Sequence, residues 1–507
     1  MSTTPDALAE SRRPAAGTTD RVDNGVRDVR AERRKRAAVL ARQIEDDIAA
    51  AGWPVGTVFG TEPELSARYG ASRAVLLEAV RLVEHHQVAS MRRGPKGGLV
   101  VREPDLHGAA TALAIYLDHI GTSVVDLMDV RLMLEPLAVR LVAESLSDES
   151  IRALREAADE DTPVELSAPV VQLPDRVHGV IAERCGNAVL GLFLEVLEKL
   201  NVLFGEAPGH IPRRQAAEIT ERLRAEHRTL VAAIVRGNSN KAAQLAEGHL
   251  VGMRDLMLAA RRNPRADAER VGWLPNGTGR YAEVLAQRIR ADLARAGVAP
   301  GDVFGSEAQI RERYGISRQV LREAVRLLEH HGVAKMRRGP GGGLVATEPD
   351  PWASIEAVAV YLAYQQVDTD HLGVVWAAIE LATLDRVISR RSESTVAERL
   401  RATVDVVEMH TQGADVVLGP SLHRELAALS GNPVLEVFYL ILTTLWQRHV
   451  LRDASSSLFE DMNEMRVARD AHALIVDAIL AGKAAVARAA MVEHLGAVAA
   501  PFRRDAS

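Results

Sequence analysis

The sequence predicts a mainly α fold built as two successive copies of one unit, each a small helix-turn-helix head with a β-wing followed by an all-helical bundle. Three observations predict this. Residues 59–105 align without a gap on residues 304–350 with 32 of 47 positions identical, and the offset of 245 persists far beyond that block. It pairs Glu135 with Glu380, Gly186-Asn187 with Gly431-Asn432, and His249 with His494. A repeat this long is a whole multi-domain unit rather than one turn of a solenoid. The chain is rich in Ala and Leu, with apolar residues at helical spacing over most of its 507 residues. Short apolar runs broken by Gly and Pro, the mark of strands, occur once per copy.

In chain order, residues 1–35 form a polar tail ending in the charged run "RDVRAERRKR", read as solvated rather than as a basic arm. The first head spans 36–105. Its "AAVLARQIEDDIAAAG" has helical spacing and a terminal glycine. An extended piece at Val58-Phe59 follows, then a helix near Glu62–Tyr69 and a second helix from Ser72 to about His86. Strands over Val88–Arg92 and Gly98–Val101 flank a Gly/Pro turn. The first bundle covers 106–260 and shows no strand pattern. Residues 261–280 carry the Pro, Gly and Asn of a linker. The second head (281–350) and second bundle (351–507) repeat the scheme.

Net charge is −6, but its distribution is uneven. Phe59–Arg102 holds seven Lys/Arg against four Asp/Glu, and Phe304–Thr347 eight against four. Local charge, not the chain total, attracts a polyanion. A single cysteine, Cys185, excludes an intramolecular disulfide framework and any multi-cysteine zinc site. No stretch reaches the length of a membrane span and no secretory h-region is visible. A cytoplasmic protein is expected.

Ser72 and Ser317 are good N-cap residues, each followed directly by an arginine, Arg73 and Arg318. A helix begun this way aims backbone N–H groups and a cation outward, toward phosphates or base edges. "RRGPKGGLV" and "RRGPGGGLV" then read as hairpin wings, with Arg92, Arg93, Arg337 and Arg338 as phosphate contacts. The second head resembles the winged helix of the GntR family of bacterial transcription regulators. Glu307, Tyr314-Gly315, Ser317-Arg318, Val320, Arg322-Glu323-Ala324, Leu328 and Gly332 carry the likeness. By resemblance Arg318 and Arg322 contact base edges or phosphates, while the wing tips at Gly97 and Gly342 approach the minor groove. The first head departs at Leu77, in place of the second arginine, and at Gln87, in place of the glycine before the wing. Gly60 and Gly305 stand where the family has proline, and Pro63 and Ala308 where some relatives have arginine. An asymmetric reader with a weaker first half is expected.

His178, His227 and His249 are separated by 49 and 22 residues, and His423, His472 and His494 repeat those separations. Three imidazoles from three helices suit a divalent transition metal. The segments "VHGVIAERCGN", "EHRTLVAAIVRGN" and "HL", with "LHRELAALSGN", "AHALIVDAILAG" and "HL", resemble the FCD ligand-binding domain of the FadR subfamily. In that family three histidines and an Asp four residues before the first hold the metal. Here that position is Pro174 or Gly419, with Asp175 one residue late in the first copy. A three-His site is therefore expected, with zinc first and positions left for an effector carboxylate or water. Arg131 matches the domain's early arginine and is read as a clamp for an effector carboxylate. Trp376 replaces it in the second copy, which keeps Glu380. Cys185 reads as a small buried side chain, and His85-His86 and His330-His331 as contacts at a helix end.

These readings converge on a sequence-specific DNA-binding transcription regulator, a repressor by family habit, present as a fused tandem duplicate. Its partners are a (pseudo)palindromic duplex operator and a small organic-acid effector, with no membrane and no catalytic residue. The two halves pair within one chain, with further self-association open. The competing readings are an architectural DNA binder with vestigial pockets and a three-His metalloenzyme.

Overall fold

A computed structural model describes residues 36–86, 88–92, 94, 97–104, 106–159, 176–205, 213–261, 278–330, 332–339, 341–347, 351–367, 369–404, 409–412, 415–418, 422–452 and 462–503. The tail before residue 36 and most of the linker at 261–280 lie outside them. The chain divides into two compact units, Met1–Pro104 and Asp105–Ser507.

The first unit is the first head. A helix over 36–50 (α1) precedes β1 (Val58–Gly60), α2 (Glu62–Tyr69), α3 (Arg73–His85), β2 (Ala89–Arg92) and β3 (Gly98–Val101). The strands form an antiparallel sheet in the order β1-β3-β2. Arg92 pairs with Gly98, which closes the hairpin of the wing. Leu65, Leu76, Val83 and Leu99 are fully buried, and the Tyr69 hydroxyl donates to Asp47 at 2.7 Å, tying α2 to α1.

The second unit begins with the first bundle: α4 (Leu106–His119), α5 (Val124–Glu144), α6 (Asp148–Asp159), α7 (Arg176–Arg184), α8 (Ala188–Gly205), α9 (Arg213–Val235) and α10 (Ser239–Arg261). The second head follows as α11 (Thr278–Arg295), β4 (Val303–Gly305), α12 (Glu307–Tyr314), α13 (Arg318–His330), β5 (Ala334–Arg337) and β6 (Gly343–Ala346). Its sheet order, β4-β6-β5, repeats the first. The second bundle comprises α14 (Pro351–Tyr364), α15 (Thr369–Arg390), α16 (Ser394–Val404), a hairpin of β7 (Met409–Gln412) and β8 (Asp415–Leu418), then α17 (Leu422–Leu429), α18 (Pro433–Arg452), α19 (Met462–Leu480) and α20 (Ala484–Arg503). The hairpin departs from the all-helical expectation. It is short, two strands of four residues, and β8 carries the β-branched pair Val416-Val417. Elsewhere head and bundle elements recur at the offset of 245, from β1 and β4 to α8 and α18.

The "GN" of each bundle explains how the halves meet. Gly186 and Gly431 take φ of 69° and 65°, ending α7 and α17 in the left-handed region that glycine adopts freely. The next residue, Asn187 or Asn432, caps the following helix: Asn187 Oδ1 accepts the Val189 and Leu190 N–H groups, and Asn432 Oδ1 those of Val434 and Leu435. Each amide nitrogen then crosses to the other bundle. Asn187 Nδ2 donates to the His371 carbonyl at 2.9 Å, and Asn432 Nδ2 to the Asp126 carbonyl at 3.0 Å. These are equivalent contacts under the 245 offset, the reciprocity of a two-fold interface. Phe193 and Phe438, also equivalent, stack at 3.9 Å between centroids and are fully buried. One apolar core runs through both bundles.

The second head is tied to the first bundle from one side. Ile115 of α4 packs into its core, and Arg290 of α11 forms an ion pair with Asp118 of α4 at 2.8 Å. In the first head the position equivalent to Arg290 is Glu45. Glu45 instead meets His86 Nδ1 at 2.6 Å within the first head, with both side chains buried. His86, the C-cap of α3, therefore serves the helix end and the head's interior rather than a phosphate.

Candidate nucleic-acid interface and histidine centres

Both heads present the capped arginine in one pose. Ser72 Oγ accepts the Val75 N–H at 3.5 Å, and Ser317 Oγ that of Val320 at 3.3 Å, so the helix starts where the arginine begins. Arg73 Nε lies 2.6 Å from Glu62 and Arg318 Nε 2.7 Å from Glu307, with the arginines 78% and 71% exposed. Exposed pairs of this kind contribute little stability and release readily. Arg322 stands exposed one turn further along α13, where the first head has the half-buried Leu77. In the wings, Arg92 and Arg337 end their strands exposed, and Arg338 is exposed beside Arg337. Arg337 Nη2 donates to the Gly341 carbonyl at 2.9 Å, bracing the second wing tip. Gly97 donates its N–H to Gly94. A Cβ on Gly342 would sit 2.3 Å from the Arg337 carbonyl, so the tight turn alone demands glycine there. Arg93 lies outside the described residues.

Each set of three histidines converges. His178 comes from α7, His227 from α9 and His249 from α10; His423, His472 and His494 come from α17, α19 and α20. In each set one ligand atom per ring lies within 4.8 Å of the others. His227 Nε2 faces His249 Nε2 at 3.1 Å, while His494 Nε2 faces those of His423 and His472 at 3.0 and 3.1 Å. The opposite ring edges meet carboxylates. His178 Nδ1 is 2.5 Å from Glu135, His249 Nδ1 2.8 Å from Glu226, and His423 Nδ1 2.9 Å from Glu380. A carboxylate on Nδ1 fixes the proton there and leaves the lone pair on Nε2. The Nε2 atoms so fixed present acceptors to a common point, which suits a cation. The donor set fits a divalent transition metal with three nitrogen ligands. Pro174, Asp175 and Gly419 lie outside the described residues.

Electrostatics around the rings suit the same use. Burial, reinforced by the charge of His423, holds His472 down at about 3 and His494 at about 4. Both are neutral at pH 7. Burial opposes charge on His423 itself, but Glu380 outweighs it and raises that group. In the first bundle burial pushes Glu135 up, yet Arg131 and His178 prevail and leave it at about 2. Arg131 is buried with its Nε on Glu135, so it belongs to the chain Arg131–Glu135–His178. In the second bundle the Trp376 Nε1–H takes that place, donating to Glu380 at 3.0 Å. Glu226 was legible only as the residue before His227, and the fold turns it to His249 instead. Cys185 is buried, as expected, its thiol donating to the Ala182 carbonyl.

Winged heads and helical bundles, with a convergent histidine triplet in each bundle, make a two-part architecture. The FCD domain model matches residues 126–252 and 371–497, together half of the chain, and the chain belongs to that family. The model for bacterial regulatory proteins of the gntR family matches residues 281–343. The HTH-type transcriptional regulator LutR of Bacillus subtilis is 28% identical over 212 residues, covering 39% of this chain and 89% of its own. A putative L-lactate dehydrogenase operon regulatory protein of Escherichia coli is 27% identical over 236 residues, 44% of this chain and 87% of its own. Among solved structures, a GntR of Streptococcus agalactiae matches at 20% identity and TM-score 0.29, over 43% of this chain and 99% of that one. Among the described residues, no helix is long and apolar enough to cross a membrane.

Proposed function

We propose that the chain is a metal-containing, ligand-controlled repressor of the FadR subfamily, a fused tandem duplicate in which one polypeptide supplies both DNA-reading heads. The observation that carries this is the repetition of the whole device at one offset: a Ser-capped, exposed arginine opening α3 and α13, each with a glycine wing. The reciprocal Asn187 and Asn432 contacts support an internal pairing that replaces a homodimer, at the high effective concentration of a single chain. The operator is a (pseudo)palindrome in duplex DNA, read in the bacterial cytoplasm. Zinc would be held by His178, His227 and His249, and by His423, His472 and His494. When bound it would supply Lewis-acid positions attractive to an organic acid. Arg131, buried on Glu135, would clamp the effector's carboxylate only by sharing or releasing that partner. L-Lactate is the first acid to try, because one relative's name ties it to an L-lactate dehydrogenase operon.

Genome-wide capture of bound DNA tests the reading. Expected is a discrete set of sites with inverted half-sites. No preference for any duplex over bulk competitor at modest ionic strength would overturn it. Chelation tests the metal: removing zinc should lower the melting temperature and restoring it should reverse the loss, worth about 2.7 kcal/mol at a hundredfold excess over Kd. His249→Ala with His494→Ala should abolish that response.

The heads are unequal readers. Arg318→Ala should weaken specific binding more than Arg73→Ala, since Arg322 reinforces the second head and Leu77 cannot reinforce the first. A good base-reading arginine contributes about 1–3 kcal/mol of discrimination. Equal losses in a mobility-shift titration would count against the asymmetry.

A further inference from the structure

We infer that the interface between the halves is charge-coded for unlike pairing, so that a first half does not pair with another first half, nor a second with a second; this rests on the internal pairing proposed above. Arg386 of α15 reaches two acids of α5, forming an ion pair with Asp129 and lying 3.6 Å from the Asp126 carboxylate. Arg290 of α11 meets Asp118 of α4 at 2.8 Å. In each case the second half gives the arginine and the first half the acid. Neither role is repeated at the equivalent positions. The offset of 245 matches Arg386 with Leu141 and Arg290 with Glu45, and it matches Asp118, Asp126 and Asp129 with Ala363, His371 and Val374.

The code is laid over a contact that both halves share. Arg386 Nε donates to the Ser430 carbonyl at 3.0 Å, which fixes the guanidinium close to Asn432. Asn432 Nδ2 donates to the Asp126 carbonyl, so one turn of α5 is gripped by backbone and side chain together. On the reciprocal side Asn187 makes the same backbone contact to His371, but Leu141 and Val374, at the places of Arg386 and Asp129, carry no charge. A two-fold pairing of like halves would keep the asparagine contacts, which both copies encode. Two first halves would set Leu141 against Asp126 and Asp129, and would bring Glu45 to the place of Arg290. Two second halves would set Arg386 against His371 and Val374, and Arg290 against Ala363. Arg254 of α10 also acts on Asp129, but it belongs to the first bundle and is present in any pairing. Charges stripped of their partners on a closing face reject wrong pairings. Apolar packing and the asparagines thus decide that halves pair, and the arginines decide which halves.

The wrong partner can be built inside the intact chain. Arg386→Leu presents to α5 what a first half would present, and Asp129→Val presents to Arg386 what a second half would. Hydrogen exchange over α5, α8, α15 and α18 reads the opening of the shared core. Each variant should raise opening about tenfold, equivalent to about 1.4 kcal/mol. Their combination should cost little more than either alone, because each has already removed the same pair. Asp129→Arg joined with Arg386→Asp restores opposite charges in reverse order. It should return opening close to that of the parent, a recovery that a misfolded chain cannot give. Opening unchanged by Arg386→Leu and Asp129→Val, or a reversed pair no better than the worse of its two single variants, would overturn the inference. A parent whose shared core exchanges freely would defeat the internal pairing and the code with it. A chain without preference for any duplex site would instead defeat the regulator reading and leave the charge code standing.

Discussion

Gly343→Ala should unfold the second wing and reduce operator affinity to the non-specific level. Gly343 sits at φ 153°, where an L side chain is strained. A Cβ there would lie 2.4 Å from the Gly305 carbonyl and 2.9 Å from Val303 Cγ1. Both obstacles belong to β4, which pairs with β6 across this point, so the substitution must prise the edge strand from the sheet. Backbone strain of about 1–3 kcal/mol and overpacking of similar size add to roughly 2–6 kcal/mol. That is a large share of the stability of a small domain. Gly339→Ala is the control: its φ of 98° is also left-handed, but nothing lies within 4 Å of the new Cβ, so only the strain remains. Calorimetry should show a large loss for the first variant and a small one for the second. Gly98→Ala repeats the experiment in the first head, where φ is 150° and Val58 Cγ1 and the Gly60 carbonyl would lie 2.6 and 2.7 Å away. If the first head is the weaker reader, Gly98→Ala should cost less operator affinity at equal loss of structure.

Much of this was legible before any coordinate, for definite reasons. The wings announced themselves because glycine at left-handed φ has no substitute, and the recognition helices because a serine cap fixes their first residue. The histidines stood out through the resemblance of their three segments to the FCD domain, since a duplicated chain repeats the separations of any residue. What sequence could not show was pairing across the fold. Glu226 precedes His227 in sequence but serves His249, because α9 and α10 lie side by side. The Trp376 ring reaches Trp446, seventy residues away. Glu45 and His86 are polar residues on helical patterns, and only their packing makes them a buried pair. The Met409–Leu418 hairpin was missed because two four-residue strands offer too few alternations to outvote helical neighbours.

Acid should destabilise the metal-free chain, and His472 and His494 of the second bundle contribute to the slope. His472 and His494 have folded values near 3 and 4, below the 6.5 of an unfolded histidine. As pH falls below 6.5 the unfolded chain takes up protons that the folded bundle refuses. Their stability contribution is therefore whole above 6.5 and is lost as pH falls toward 4. His423 has the opposite sign: raised when folded, it contributes below 6.5 and loses that contribution as pH climbs through its folded value. Below 6.5 the unfolded state holds three protons on these rings and the folded state one. A difference of two protons on these rings contributes about 2.7 kcal/mol per pH unit. Glu135, at about 2 against an ordinary 4.5, adds its own loss only below pH 4.5. Denaturant titrations in chelator at pH 7.5, 6.5, 5.5 and 4.5 should trace this limb. His472→Gln should lower the measured slope by about 1.4 kcal/mol per pH unit, because one refused proton is gone. An unchanged slope would mean that the histidines of the second bundle are not packed as a neutral pair around one charged ring.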